Sequence, residues 1–416
     1  MIKNGVTDNS SDSAFTGAWV KYLRLEKGYT QGYVAHGICS ISHLSYFENG
    51  KKKLHDDQIA TVLKKLDVSE MTVPKDIQHI HTIMENMLTH IEDYDCESST
   101  NEYEKLKVYE DVLKTSPFWF EYKVYSMIYL YFVKGKLMKD QASDIQMLDE
   151  IYESFPDNLR FWYLFISGTI YARDDKNDKG IERLKKAAQI RKTTWLYYIT
   201  GVALSCSNDK GQAIFNFEKA LDNYETGGRF QSAVWCKSYL GCCYSELGMF
   251  DMAEKYLSAA FNSLQYISTE ELVNSVDNNY ANMYMRMGDY KKCHLWSAMA
   301  MTHGRCRVVA AYNYIYSCIM MGERDERDKV IARFMSDEYK NDRHYPAIRF
   351  EYLWVNHFTD GKFYSEVKSE IIPYYEKMGK SDMLEDLYSV MIKYLEKHRM
   401  YKEATVYYRK LLDIKR

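Results

Sequence analysis

Proline occurs only five times in 416 residues and glycine twenty times. That is few for this length, and it fits an all-helical chain. Charge of one sign is also missing. A net charge of −3 rules out a polyelectrolyte that binds nucleic acid along its whole length. The nine cysteines (39, 96, 206, 236, 242, 243, 293, 306 and 318) are odd in number and scattered, with no CxxC. Cys293-His294 has no matching partner pair, so neither a disulfide framework nor a zinc site is expected, and several of these thiols occupy small apolar core positions. The opening MIKNGVTDNSSDS has no apolar signal core. The most apolar run, Phe161 to Ala172, is too short to span a bilayer and lies between Arg160 and Arg173. A cytosolic, reduced protein away from membranes is the expectation. No paired carboxylates, nucleotide loop or Ser/His/Asp set stands out, so no enzyme activity, metal or cofactor is expected.

The chain is too long for one compact core and suits an extended array. Its most regular stretch is Lys237 to Ala260, KSYLGCCYSELGMFDMAEKYLSAA. Gly241, Tyr244, Gly248, Ala253, Leu257 and Ala260 follow the small/large alternation of a tetratricopeptide helix hairpin. Two antiparallel helices approach closely where small residues meet, and Gly248 serves the turn. The frame returns upstream at Gly201, Leu204, Ala213, Phe217 and Ala220. Downstream it returns at Ala281, Tyr284, Gly288, Cys293, Ser297 and Ala300. The small second-helix position thus falls at 213, 253 and 293. A clear unit precedes these (Gly168, Tyr171, Gly180, Leu184, Ala187). Others follow, turning at Gly322 and Gly361, and a last one carries Ala404, Tyr408 and Leu411, for eight or nine helix pairs. Most of the 38 tyrosines are expected to pack their rings and wet their hydroxyls.

Residues 16 to 53 carry six Lys or Arg against Glu26 and Glu48, a local +4 that leaves −7 on the rest. Helices are expected from Ala18 to Lys27, from a Thr30 cap through His36, from a Ser40 cap to Asn49-Gly50, and from Asp56 to Leu66. Thr30-Gln31, Ala35, Gly37, Leu44, Phe47 and Glu48-Asn49-Gly50-Lys51 are spaced as in a helix-turn-helix, and resemble the lambda-repressor-like (Xre) type. The resemblance puts the third helix in the major groove, with Ser40, Ile41, Ser42 and Tyr46 facing bases. Gln31, Asn49, Lys51, Lys52 and Lys53 would touch phosphate. Residues 40 to 47 contain no Arg, Lys, Gln or Asn. Specificity would then rest on Ile41 against thymine methyls, on hydrogen bonds from Ser, His and Tyr, and on DNA shape.

A helix-turn-helix joined directly to such an array resembles the RNPP family, the Rap-, NprR-, PlcR- and PrgX-type peptide-pheromone receptors. The resemblance implies an all-α fold: an N-terminal lambda-repressor-like helix-turn-helix followed by a right-handed tetratricopeptide-repeat superhelix. The expected organisation is a disordered segment 1–14, a DNA-binding domain 15–68, a linker 69–77, and a peptide-binding and dimerisation array 78–416. The implied partners are double-stranded operator DNA with an inverted repeat, a short signalling peptide, and a second copy of the chain.

Counting back from the close-contact residue of each unit places Trp195, Tyr198, Trp235, Ser238, Cys242, Asn278, Asn282, Tyr312 and Tyr316 on the inner side of the first helices. Aromatic walls around two amides suit an extended peptide, since an amide donates to its C=O and accepts from its N–H. A second reading is a Rap/NprR-like protein that binds or dephosphorylates a response regulator, with Gln78, Glu85 and Asn86 offering polar groups. A third is a peptide-independent repressor or scaffold.

Overall fold

A computed structural model of the chain describes residues 9–68, 71, 74–135, 138–173, 177–207, 209–267, 269–302, 304, 307–378 and 381–414. Among these every regular element is helical. Two compact units divide the chain, Met1–Ser232 and Ala233–Arg416. The first opens with α1 (Asn9–Glu26), α2 (Gln31–Ala35), α3 (Ile41–Glu48) and α4 (Asp56–Lys65). It continues through α5 (Ile77–Glu92), α6 (Cys96–Lys107), α7 (Glu110–Lys114), α8 (Trp119–Phe132), α9 (Met138–Asp149), α10 (Asp157–Arg173), α11 (Asn177–Ile190), α12 (Thr194–Ser205) and α13 (Lys210–Thr226). The division falls within α14 (Phe230–Glu246). The second unit holds α15 (Phe250–Ser263), α16 (Glu270–Met287), α17 (Tyr290–Ala300), α18 (Arg307–Met321) and α19 (Arg324–Phe334). It ends with α20 (Tyr345–His357), α21 (Gly361–Glu366), α22 (Ile372–Met378), α23 (Ser381–Lys397) and α24 (Tyr401–Ile414).

The repeat sterics hold at atomic distance. A Cβ added at Gly241 would stand 2.5 Å from Leu257 Cγ and 3.3 Å from the Ala253 carbonyl oxygen. Ala253, Leu257 and Ala260 are fully buried, and Gly248 turns the chain at φ +73°. The next pair repeats the scheme with Ala281, Cys293, Ser297 and Ala300 inside. Gly241→Ala forces these helices apart. It is expected to destabilise the second unit by about 1–3 kcal/mol, read as an earlier urea transition.

Two expectations need correction. The N-terminal helix starts at Asn9 rather than Ala18, and residues 1–8 lie outside the described residues. Polar composition argued for disorder through residue 14, but Phe15 is buried, its ring 5.0 Å from that of Phe118. The segment CESSTN is not a loop but the start of α6, because Asp95 caps it by accepting from the Ser98 N–H (2.9 Å) after Tyr94 turns the chain at φ +60°. Of the linker 69–77, residues 69, 70, 72 and 73 lie outside the described residues. The N-terminal module and the first repeats both fall within the compact unit Met1–Ser232.

Candidate functional site

Thr30 and Ser40 cap α2 and α3 as expected, each hydroxyl accepting a backbone N–H three residues on at 3.1 Å. Gly37 makes the turn between them at φ +74°. Val34, Ala35, Leu44 and Phe47 close the core of the module. Helix α1 crosses α3 so tightly that a Cβ on Gly17 would lie 2.0 Å from the Phe47 carbonyl oxygen. At this crossing Arg24 pairs with Glu48 through two bonds, Nε to Oε1 at 2.6 Å and Nη2 to Oε2 at 2.8 Å. Arg24 Nη1 also donates to the Tyr29 carbonyl at 3.0 Å. Glu48 is wholly buried and Arg24 nearly so.

The nine residues expected at DNA divide into two groups. Ser40, Ile41, Ser42, Tyr46, Lys51, Lys52 and Lys53 are exposed, with Ile41 at 57% and Tyr46 at 46%. Lys52 Nζ sits 5.1 Å from the Tyr46 ring centroid, so ring and cation share one patch. Gln31 and Asn49 are half-buried and hydrogen-bonded to neighbouring side chains. Gln31 Nε2 donates to Glu48 Oε2 at 2.7 Å, completing the buried pair. Asn49 Oδ1 accepts from Lys21 (3.4 Å) and from Ser154 Oγ (3.1 Å), while its Nδ2 donates to the Ser45 carbonyl (2.8 Å). Lys21 Nζ also reaches Ser154 Oγ at 2.9 Å, so the end of α3 is tied to the turn between α9 and α10. Burial lowers the Lys21 ammonium below its usual range, against the nearby Glu48 and Glu153. Phe15 on Phe118 and Tyr22 on Phe120 complete this seat. Sequence spacing carried no sign of it, because the partners lie about a hundred residues apart.

Of the nine groove residues, Cys242 is half-buried with its thiol 3.7 Å from Glu246 Oε1, and the other eight are likewise split. Trp195, in the first unit, is a core residue rather than a groove wall. It is 5% exposed, with its ring 4.8 Å from Phe165 and 5.0 Å from Phe132. Tyr198 is half-buried and its hydroxyl lies 3.4 Å from that of Tyr94. In the second unit Ser238 is buried and accepts from Asn279 Nδ2 at 2.9 Å, which makes it an interhelical bond rather than a ligand contact. Trp235 is half-buried beside Tyr239. Asn278 is buried, with an Oδ1 that has no hydrogen-bond partner among the described residues. Asn282 Oδ1 accepts from Asn313 Nδ2 at 2.8 Å. Tyr312 is buried and Tyr316 half-buried, their rings 6.3 Å apart. The structure thus brings amides and tyrosines to α16 and α18, and removes Trp195 and Ser238 from the candidate surface.

Two features escaped sequence reading. His294 approaches Cys318 and Glu323, with ligand atoms within 4.8 Å of one another. Burial pushes the Cys318 thiol up to about 12, and His294 Nδ1 lies 3.3 Å from Ser317 Oγ. This cluster alone assigns no metal. The second feature is Glu351, a buried acid beside Tyr312 and Tyr316. On α5, Gln78, Glu85 and Asn86 are exposed, which alone assigns them no chemistry. Among the described residues no helix is long and apolar enough to cross a membrane.

No family model matches the chain. It is 22% identical over 400 residues to the transcriptional activator NprA of Geobacillus stearothermophilus, a match covering 90% of this chain and 97% of NprA. Its fold is similar to the apo form of the quorum sensor NprR from B. thuringiensis, with a TM-score of 0.64 and 16% identity over 82% of this chain and 99% of that one. It is also similar to a Rap protein complexed with competence and sporulation factor, with a TM-score of 0.68 and 14% identity over 81% of this chain and 98% of the other. The chain thus resembles NprA along nearly its whole length and shares the helical-repeat fold of NprR and of a Rap protein, in keeping with its resemblance to the RNPP family.

Proposed function

We propose that this protein is a cytosolic transcriptional regulator, not an enzyme, whose helix-turn-helix binds operator DNA and whose repeat array is switched by a short signalling peptide. One observation carries the DNA half. On a module locked by a buried ion pair, Ser40, Ile41, Ser42 and Tyr46 stay exposed on α3 with Lys51, Lys52 and Lys53 exposed just beyond it. A recognition helix must present such a free polar and apolar face to base edges, with cations beside it for phosphate. NprA, named a transcriptional activator, supports the same reading. A single module of this kind buries little surface on DNA, so the protein acts as a symmetric dimer on an inverted repeat.

The peptide half rests on Asn278 and Asn282, one helical turn apart on α16 and followed by Tyr312 and Tyr316 on α18. The buried Oδ1 of Asn278 is an acceptor for a peptide N–H, and the tyrosine rings offer flanking apolar surface. NprR, whose fold this chain shares, has been solved with its cognate peptide NprX. An Asn278→Ala or Asn282→Ala replacement removes a hydrogen bond to a desolvated backbone, a loss of about 1–3 kcal/mol or roughly tenfold or more in peptide affinity.

The DNA half is tested by gel retardation across a salt series. The triple replacement of Lys51, Lys52 and Lys53 by Ala is expected to weaken all duplexes alike and to flatten the logarithmic salt slope by roughly 2–3. Tyr46→Ala is expected instead to erode discrimination between sequences. Unchanged salt slopes in the triple variant would remove this face from DNA.

A further inference from the structure

The first unit holds a cleft that neither the DNA reading nor the peptide reading uses. It encloses about 370 Å³ and is lined from α11, α12 and the start of α13. A cleft of that size suits a small molecule. Leu184 of α11 and Leu196 and Leu204 of α12 are buried and give it an apolar floor. Phe215 of α13 forms a wall and is 51% exposed, so a large aromatic ring stands open beside the cleft. The repeat frame puts it there. Phe217 fills the close contact with α12, where a Cβ on Gly201 would lie 2.8 Å from its ring. Phe215, two residues earlier on the same helix, therefore faces away from that contact.

The rim is positively charged. Lys185 of α11 and Lys192, just past its end, line the cleft and are exposed, and neither has a carboxylate partner among the described residues. Their neighbours on α11 differ: Arg183 is held by Asp149 at 2.6 Å and Lys186 by Glu182 at 2.7 Å. On the opposite wall Lys219 Nζ lies 5.9 Å from the Phe215 ring centroid. Among the described residues Asp209 is the acid that lines the cleft. Its Oδ1 accepts from the Gln212 N–H at 3.1 Å, where it caps α13. The chemical complement is an apolar body with one negative charge. The body covers Leu196 and Phe215, and the anion answers the two lysines. Asp209 opposes a second negative charge, which favours a carboxylate over a phosphate dianion.

We propose that the cleft between α11, α12 and α13 binds a small amphipathic carboxylate, with Lys185 and Lys192 on its charged end and Phe215 against its apolar body. The site is separate from the amides of α16. It does not depend on the peptide-receptor reading, and either can fail without the other.

The test is calorimetry on the full chain with probes that share one phenylpropyl body: 4-phenylbutyrate, its neutral amide 4-phenylbutanamide, and 3-phenylpropyl phosphate. The carboxylate is expected to bind tightest, ahead of the amide by about threefold to tenfold, with the advantage shrinking as salt rises. Lys185→Gln and Lys192→Gln in one chain should bring the carboxylate down to the amide. Phe215→Ala should weaken both by at least about fivefold. All three side chains are exposed, so the variants should melt with wild type. Binding of none of the probes at millimolar concentration would overturn the site. Equal affinity for carboxylate and amide would overturn the role of the lysines and the proposal with it. Tightest binding of the phosphate would overturn the assignment to a carboxylate. Affinity for 4-phenylbutyrate unchanged in both variants would place the anion elsewhere and overturn the cleft.

Discussion

Arg24→Met is expected to unfold the helix-turn-helix while leaving the repeat hairpins folded. The replacement leaves Glu48 wholly buried without its bidentate partner, and breaking one side of such a pair costs about 3–5 kcal/mol. It also removes the donor to the Tyr29 carbonyl and leaves Gln31 facing a lone carboxylate. A small module has no other reserve of that size. Hydrogen exchange on the full chain reads the effect directly, as lost protection across α1 to α4 with protection of α14 to α19 retained. Replacing Glu48 by Leu in the same chain removes the stranded charge and should restore much of the protection. Unaltered exchange in Arg24→Met would show that the pair does not hold the module.

The second large effect is in pH. Glu351 is held protonated by burial up to about 8, against about 4.5 when the chain is unfolded. Its folded affinity for a proton exceeds its unfolded one, so the native state binds more protons between these values, and stability falls as pH rises through that window. The stabilisation relative to high pH is fully present below about 4.5 and gone above about 8, a swing on the order of 5 kcal/mol for one fully buried group. Glu351→Gln mimics the protonated form. Its thermal melt should therefore match wild type near pH 5 and exceed it clearly near pH 9. Parallel pH profiles for the two proteins would contradict the burial of an unanswered acid.

The repeat frame was legible because sterics fix it locally. Gly241 against Leu257 and the left-handed Gly248 leave a pattern that recurs at Ala281 and Gly288. The caps at Thr30 and Ser40 were legible for the same reason. What the sequence hid lies between distant residues. Arg24 to Glu48, and Asn49 to Ser154, are tertiary bonds with no periodic trace. Counting along the repeat also failed at Trp195, which sits where a groove residue would but points its ring at Phe165 and Phe132. Glu351 was missed because Gly361 is the first residue of a helix rather than a left-handed turn.

Peptide bound in the array is expected to alter DNA binding by the module. The direct measurement selects duplexes from a randomised pool with the full chain, then titrates a selected duplex by fluorescence anisotropy with and without a saturating library-selected peptide. The expected result is selected sites with two-fold symmetry, affinity that falls steeply with salt, and a peptide-dependent shift of at least about fivefold. A chain that retains no duplex at low salt, or whose duplex affinity is indifferent to saturating peptide, would contradict it.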